Sequence, residues 1–237
     1  MTTFKRFSIL LLIAFVAAAA VSAQQSTEER SVEESYLQEA IELMIIKETS
    51  EAGTLDQKLL SLQYISEAID RGNTNDAIRE TLEYLSMEGV LNQSRENGRL
   101  VNNFPLARRE AARYLGQLGT KEAQEALINI CKYEPEPMVL QEAIKALGDC
   151  ANESSDRALV FISWIVGRFD VLNPDNMMAL AAVDSIAKIA ERNNGIRSPD
   201  AITLLIRIMD GPYIRTVQNR ARQVLSDLRK YGVQRDR

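Results

Sequence analysis

The sequence predicts an all-α protein, an α-solenoid of about four to five antiparallel helix pairs. Three observations carry this. Four nine-residue segments align without gaps: AARYLGQLG (111–119), AIKALGDCA (143–151), AVDSIAKIA (182–190) and ARQVLSDLR (221–229). Each sets apolar or small residues at i, i+4 and i+7, which is one face of a helix. Before each segment the chain is punctuated by Pro105, Pro137, Pro174 or Pro212, where a helix can start but not continue. Composition agrees: aromatics are 6% and Gly plus Pro is 17 of 237 residues, low for an all-β chain.

The elements follow in chain order. Residues 1–23 (MTTFKRFSILLLIAFVAAAAVSA) begin with Lys5 and Arg6, continue as an apolar run, and end Val21-Ser22-Ala23. This is the three-part pattern of a secretory signal peptide, cut before Gln24. The rival reading, an uncleaved anchor, needs ~20 apolar residues, and the run is somewhat short. The Ala-rich run suits bacterial export, hence a periplasmic or secreted protein with no membrane span after cleavage. Loss of Lys5 and Arg6 takes the formal net charge from −5 to −7. Residues 24–35 (QQSTEERSVEES) read as a flexible polar lead-in, and 36–237 as the repeat domain. Residues 36–48 form an opening helix, and SLQYISEAI (61–69) is a divergent repeat copy.

Between the repeated segments lie second amphipathic stretches: 74–88, 121–132, 155–169 and 199–210. Thr74, Thr120, Ser154 and Ser198 or Ser155 are available caps, and Pro199 suits a first helical position. An insertion at 89–104 lengthens one turn; Asn97-Gly98 between Val90-Leu91 and Leu100-Val101 predicts a small hairpin or a compact loop. The tail from Tyr231 is polar and expected to fray. Neither helix of a pair buries its apolar face alone, so stacked pairs share one core.

The Pro105-Leu-Ala-Arg-Arg start followed by A-A-x-x-L-G-x-L-G at 111–119 resembles HEAT repeats, as does MVLQEAIKALGDCA at 138–151 less closely. The later copies keep the spacing and lose the glycines. The resemblance covers about residues 55–237 and implies that the second helix of each pair lines a concave side. It is nearly silent on chemistry, because such arrays serve many ends. HEAT-like repeats also resemble parts of some bilin lyases, but no chromophore-handling motif is present.

Composition excludes several functions. With no histidine, no Ser-His-Asp or Cys-His catalytic set and no histidine-ligated metal site can form. Cys131 and Cys150 fall at opposite ends of two antiparallel helices, on the order of 15 Å apart, and read as buried thiols. No Gly-rich phosphate loop or nucleophile elbow appears. No catalytic residue, cofactor or metal is therefore expected. A net-acidic exported chain is also a poor nucleic-acid binder.

Three surfaces remain as candidates for binding protein. The first is the polar face of the second helices, carrying Arg109, Arg113, Lys145, Asp149, Asp184 and Lys188; it reads either as a groove for a partner or as a solvated face. The second is the Arg95–Arg99 loop. The third is the helix SDRALVFISWIVGRF, apolar nearly all round, where Leu159, Ile162, Val166 and Phe169 face the core and Phe161 and Trp164 fall elsewhere. Tight packing on two sides is the plainer reading of that helix. Charge is also divided: residues 28–51 hold a net of −6 and 213–237 a net of +5, which suits head-to-tail association or two solvated ends. The expected function is an exported scaffold or adaptor binding another protein in the cell envelope. The alternatives are a carboxylate-dependent envelope hydrolase and a self-assembling structural subunit.

Overall fold

The computed structural model describes residues 32–150, 155–170 and 174–234. The described residues divide into two units between Glu42 and Leu43. The expected signal peptide and most of the lead-in lie outside the described residues. So does the expected cap Ser154.

Ten helices and one hairpin are described: α1 (Val32–Glu51), α2 (Leu55–Asp70), α3 (Asp76–Met87), β1 (Arg95–Glu96), β2 (Arg99–Leu100), α4 (Pro105–Leu118), α5 (Lys121–Tyr133), α6 (Pro137–Asp149), α7 (Ser155–Asp170), α8 (Asn176–Arg192), α9 (Pro199–Asp210) and α10 (Arg215–Gln234). The fold is the all-α solenoid of HEAT-like helix pairs. Helix α1 begins at Val32, so residues 32–35, expected in the flexible lead-in, are helical; Glu33 and Glu34 occupy its first turn, where acidic side chains favour helix initiation. At the other end α10 stays helical to Gln234.

The five repeated segments fall on α2, α4, α6, α8 and α10, which stack on one another as one row. Helices α3, α5, α7 and α9 form a second row against them. Core positions match the repeat: Ser61, Ala111, Ala143, Ala182 and Ala221 are buried, as are Ile65, Leu115, Leu147 and Ile186. In α10 the register drifts, since Val224 is buried and Leu225 only partly so. Each fully buried aliphatic contributes about 1.5–3 kcal/mol.

Small residues bring the first row close. A Cβ on Gly116 would lie 2.8 Å from the Ala146 backbone, and one on Gly148 2.7 Å from Ser185 Oγ. Ser185 Oγ and Cys150 Sγ then donate across the contact to Ile144 O (2.9 Å) and Leu115 O (3.4 Å).

Caps set the helix starts. Asn75, rather than the expected Thr74, caps α3: it stands directly before the first helical residue and its side chain accepts from Ile78 N at 3.0 Å. Thr120 accepts from Ala123 N at 3.1 Å, and Asp175 from Met177 N and Met178 N at 2.8 and 3.1 Å. Ser198 precedes α9 without a side-chain cap bond, and Pro199 opens the helix.

Candidate functional site

The ladder positions fall on α4, α6 and α8 of the first row. Arg113, Lys145, Asp149 and Lys188 are exposed, and Arg109 and Asp184 partly so. Their charges are largely committed to nearby side chains. Arg109 Nη2 and Arg113 Nη2 each lie 2.7 Å from the Glu110 carboxylate. The Arg113 guanidinium also stacks 4.5 Å from the Tyr114 ring. Lys145 reaches Glu142 at 3.5 Å. Two pairs bridge successive helices: Asp149 to Lys188 at 2.6 Å and Asp184 to Arg220 at 2.7 Å. The face is therefore polar but close to neutral, with ion pairs linking α6 to α8 and α8 to α10.

The insertion is a defined hairpin. Arg95 pairs with Leu100 and Glu96 with Arg99 across a two-residue turn in which Asn97 and Gly98 both have positive φ, 50° and 80°. Asn102 ties its base, accepting from Ser94 N at 2.8 Å and donating to Asn92 O at 2.7 Å. Gly89 is required there, since φ is +77° and a Cβ would stand 2.4 Å from Asn102 O. Arg95 and Arg99 project from the exposed rim. Arg95 donates to Gly98 O and Gln93 at 3.3 and 3.1 Å.

On α7 the core takes Ala158, Leu159, Ile162, Ile165 and Val166. Trp164 is left 45% exposed beside Val160 at 44%. Phe161, half-buried, meets Trp164 edge-on with ring centroids 6.4 Å apart. Arg168 lies 5.2 Å over the Trp164 ring and Lys132 5.1 Å over Phe161. The four side chains make an aromatic patch flanked by two cations, a composition favoured at binding hot spots.

Two further features have no counterpart in the sequence reading. One is a buried charge network under the insertion. Arg108 Nε and Nη2 donate to the two Glu134 carboxylate oxygens at 2.7 and 3.1 Å, and both side chains are essentially inaccessible. Arg108 Nη1 donates to Glu88 O and Asn103 Oδ1, the two ends of the insertion. Nearby, Lys58 Nζ lies 2.6 Å from the Glu88 carboxylate and donates to Ser50 O at 2.8 Å. The Tyr84 and Phe104 rings flank it at 5.8 and 5.7 Å. The signal was present: Arg108 stands at i−3 to Ala111 and i−7 to Leu115, on the apolar face itself. The other feature is an apolar cavity of about 750 Å³ between α9, α10 and the preceding loop, lined by Ile202, Ile206, Met209, Leu225 and Leu228.

Among the described residues no helix is long and apolar enough to cross a membrane, and no cluster of three or more His, Cys, Asp or Glu is placed to hold a metal ion. Cys131 and Cys150 are free and buried, and burial raises their thiol pKa values to about 12 and about 11.

Comparison with known proteins agrees with this architecture. Residues 99–162 match the family model for HEAT repeats. An uncharacterized protein of Treponema pallidum (strain Nichols) is 28% identical over 181 residues, 76% of this chain and 34% of that relative. The chain thus spans about a third of that relative's length. Among solved structures, the complex of CpcE and CpcF of phycocyanin lyase from Nostoc sp. PCC7120 is similar, with a TM-score of 0.53 and 20% identity over 80% of this chain and 67% of that one. At that identity the likeness speaks for the fold, and the chain is structurally similar to a HEAT-repeat solenoid.

Proposed function

We propose that this chain is an exported repeat scaffold that binds another protein in the cell envelope, acting through its surface and without chemistry of its own. The observation that carries the reading is Trp164. It is the chain's one tryptophan, and it stands nearly half exposed, beside the exposed Val160, on a helix that sends Leu159, Ile162, Ile165 and Val166 into the core. A solvated tryptophan with Phe161 at its edge and Arg168 over its face offers a partner a preformed anchor. The ladder of Arg109, Arg113, Lys145, Asp149, Asp184 and Lys188 is a broad polar surface on the other row. Its internal ion pairs favour a role in orienting a partner over one in supplying affinity. Export is supported by the pattern of residues 1–23 alone.

The test is affinity capture from the envelope fraction of the source organism, after cross-linking, with wild type beside Trp164→Ala and Phe161→Ala. The expected result is a protein recovered with wild type and weakened about tenfold or more by Trp164→Ala, consistent with a hot-spot truncation. If no protein is recovered, or the recovered one ignores both substitutions, the proposal fails.

A further inference from the structure

The described chain carries two apolar surfaces of opposite charge setting. On α1, Tyr36, Leu37, Ile41, Met44 and Ile45 are exposed, with Met44 at 66%. Leu37, Ile41, Met44 and Ile45 follow i, i+4, i+7 and i+8, a single stripe of the kind that lies in a groove. Helix α1 holds six acids and one base. The cavity between α9 and α10 is its counterpart. Ile202 and Ile206, 38% and 46% exposed, form one wall, and Met209, Leu225 and Leu228 continue the lining. Arg222 and Arg229 stand at the same cavity, and neither takes part in an ion pair among the described residues. Helix α10 holds five bases and one acid.

We infer that α1 of one copy docks in the α9–α10 cavity of a second copy, joining chains head to tail. The apolar stripe would fill the groove left between α9 and α10, as one repeat covers the flank of the next. Charge supports this occupant over a generic apolar one: the acidic helix approaches the guanidinium groups of Arg222 and Arg229, and like ends repel. The two surfaces differ, so the contact is heterologous. Each added copy leaves one free stripe and one free groove, and the assembly grows unless its rotation closes a ring. This inference uses no residue of the Trp164 patch, so Trp164→Ala leaves self-association unchanged whether or not an envelope partner exists.

Sedimentation velocity of the full chain over a wide concentration range reads the association directly. Wild type is expected to gain mass with concentration, and less so in high salt. Ile41→Glu spoils the stripe and Ile206→Glu the groove, and each alone should weaken association at least about tenfold. Mixed in equal amounts, the two variants retain one good stripe and one good groove between them, so they should form a dimer that grows no further. Circular dichroism checks that both variants fold. Should Ile206→Glu fail that check, the exposed pair Arg222→Glu with Arg229→Glu replaces it. A wild type that stays monomeric throughout overturns the inference. So does an associating wild type whose two variants form no dimer when mixed.

Discussion

The chain uses the same chemical pair, a cation beside a carboxylate, in two opposite settings. Arg108 and Glu134 meet with both side chains buried, while Lys188 and Asp149 meet at nearly half exposure. The distances hardly differ, at 2.7 and 2.6 Å. Their consequences do. A buried charge keeps its pairing because losing the partner strands an ion in a poor solvent. An exposed one has water and salt as substitutes. Arg108 also spends its remaining donors on Glu88 O and Asn103 Oδ1, so it closes the two ends of the insertion onto α4. The pairs at 149–188 and 184–220 only add a link to helices already held by packing.

That contrast gives the largest expected effect. Arg108→Ala should cost about 3–5 kcal/mol, because the buried Glu134 carboxylate loses its counter-ion, keeping only the Glu136 N–H at 3.0 Å, and the Glu88 carbonyl loses the guanidinium donor. Urea denaturation followed by circular dichroism measures it. Replacing both Arg108 and Glu134 with apolar residues of similar volume should cost less than the single change; a larger loss would show that the pair itself is the chief source of stability. Next comes Gly148→Val. Its added Cβ would stand 2.7–2.8 Å from Ser185. The overlap should cost about 1–3 kcal/mol, since the first row cannot open at one contact alone. The melting temperature of the variant checks this, and no change would mean that α6 and α8 separate freely.

Cys131 sharpens the comparison from the other side. It ends three residues before Glu134, in the same interior, yet burial pushes its thiol from the ordinary 9 up to about 12. Burial is the chief cause of that rise, and the bidentate guanidinium of this interior goes to Glu134. A folded pKa raised above the unfolded one means the contribution is complete below about pH 9 and is lost as pH rises toward 12. Urea midpoints should therefore decline over that window, with a shallower slope in Cys131→Ala. An equal slope in both would remove the thiol from the account.

How much of this was legible depends on what repeats. The helix pairs were readable because alanine and large aliphatics recur at fixed spacing, and Ala111, Ala143, Ala182 and Ala221 are indeed buried. The ladder of exposed positions follows from the same register. Asn97-Gly98 gave the hairpin because both residues tolerate positive φ. Arg108 and Lys58 escaped because a basic residue on an apolar face reads as solvated until its acidic partner is located. Glu134 lies 26 residues from Arg108 and Glu88 lies 30 from Lys58, separations at which no helical period operates. The cavity escaped for a related reason. Ile202 and Ile206 fit the amphipathic pattern of α9, and only the stacking of α9 on α10 shows which apolar residues are left over.

The smallest effect is the one that tests the exposed side of the comparison. Lys188→Ala removes the link between α8 and α6 at Asp149. Both side chains keep nearly half their surface in water, so the loss should stay within about 1 kcal/mol and shrink further in high salt. A double-mutant cycle with Asp149→Ala isolates the pair from the separate effects of each truncation. A coupling as large as that at Arg108 and Glu134 would mean that the ladder is part of the fold's framework, and its side chains would then be poorly free to turn toward a partner. A coupling near zero leaves Asp149 and Lys188 able to exchange one another for groups on a bound protein at little cost, which is what an orienting surface requires.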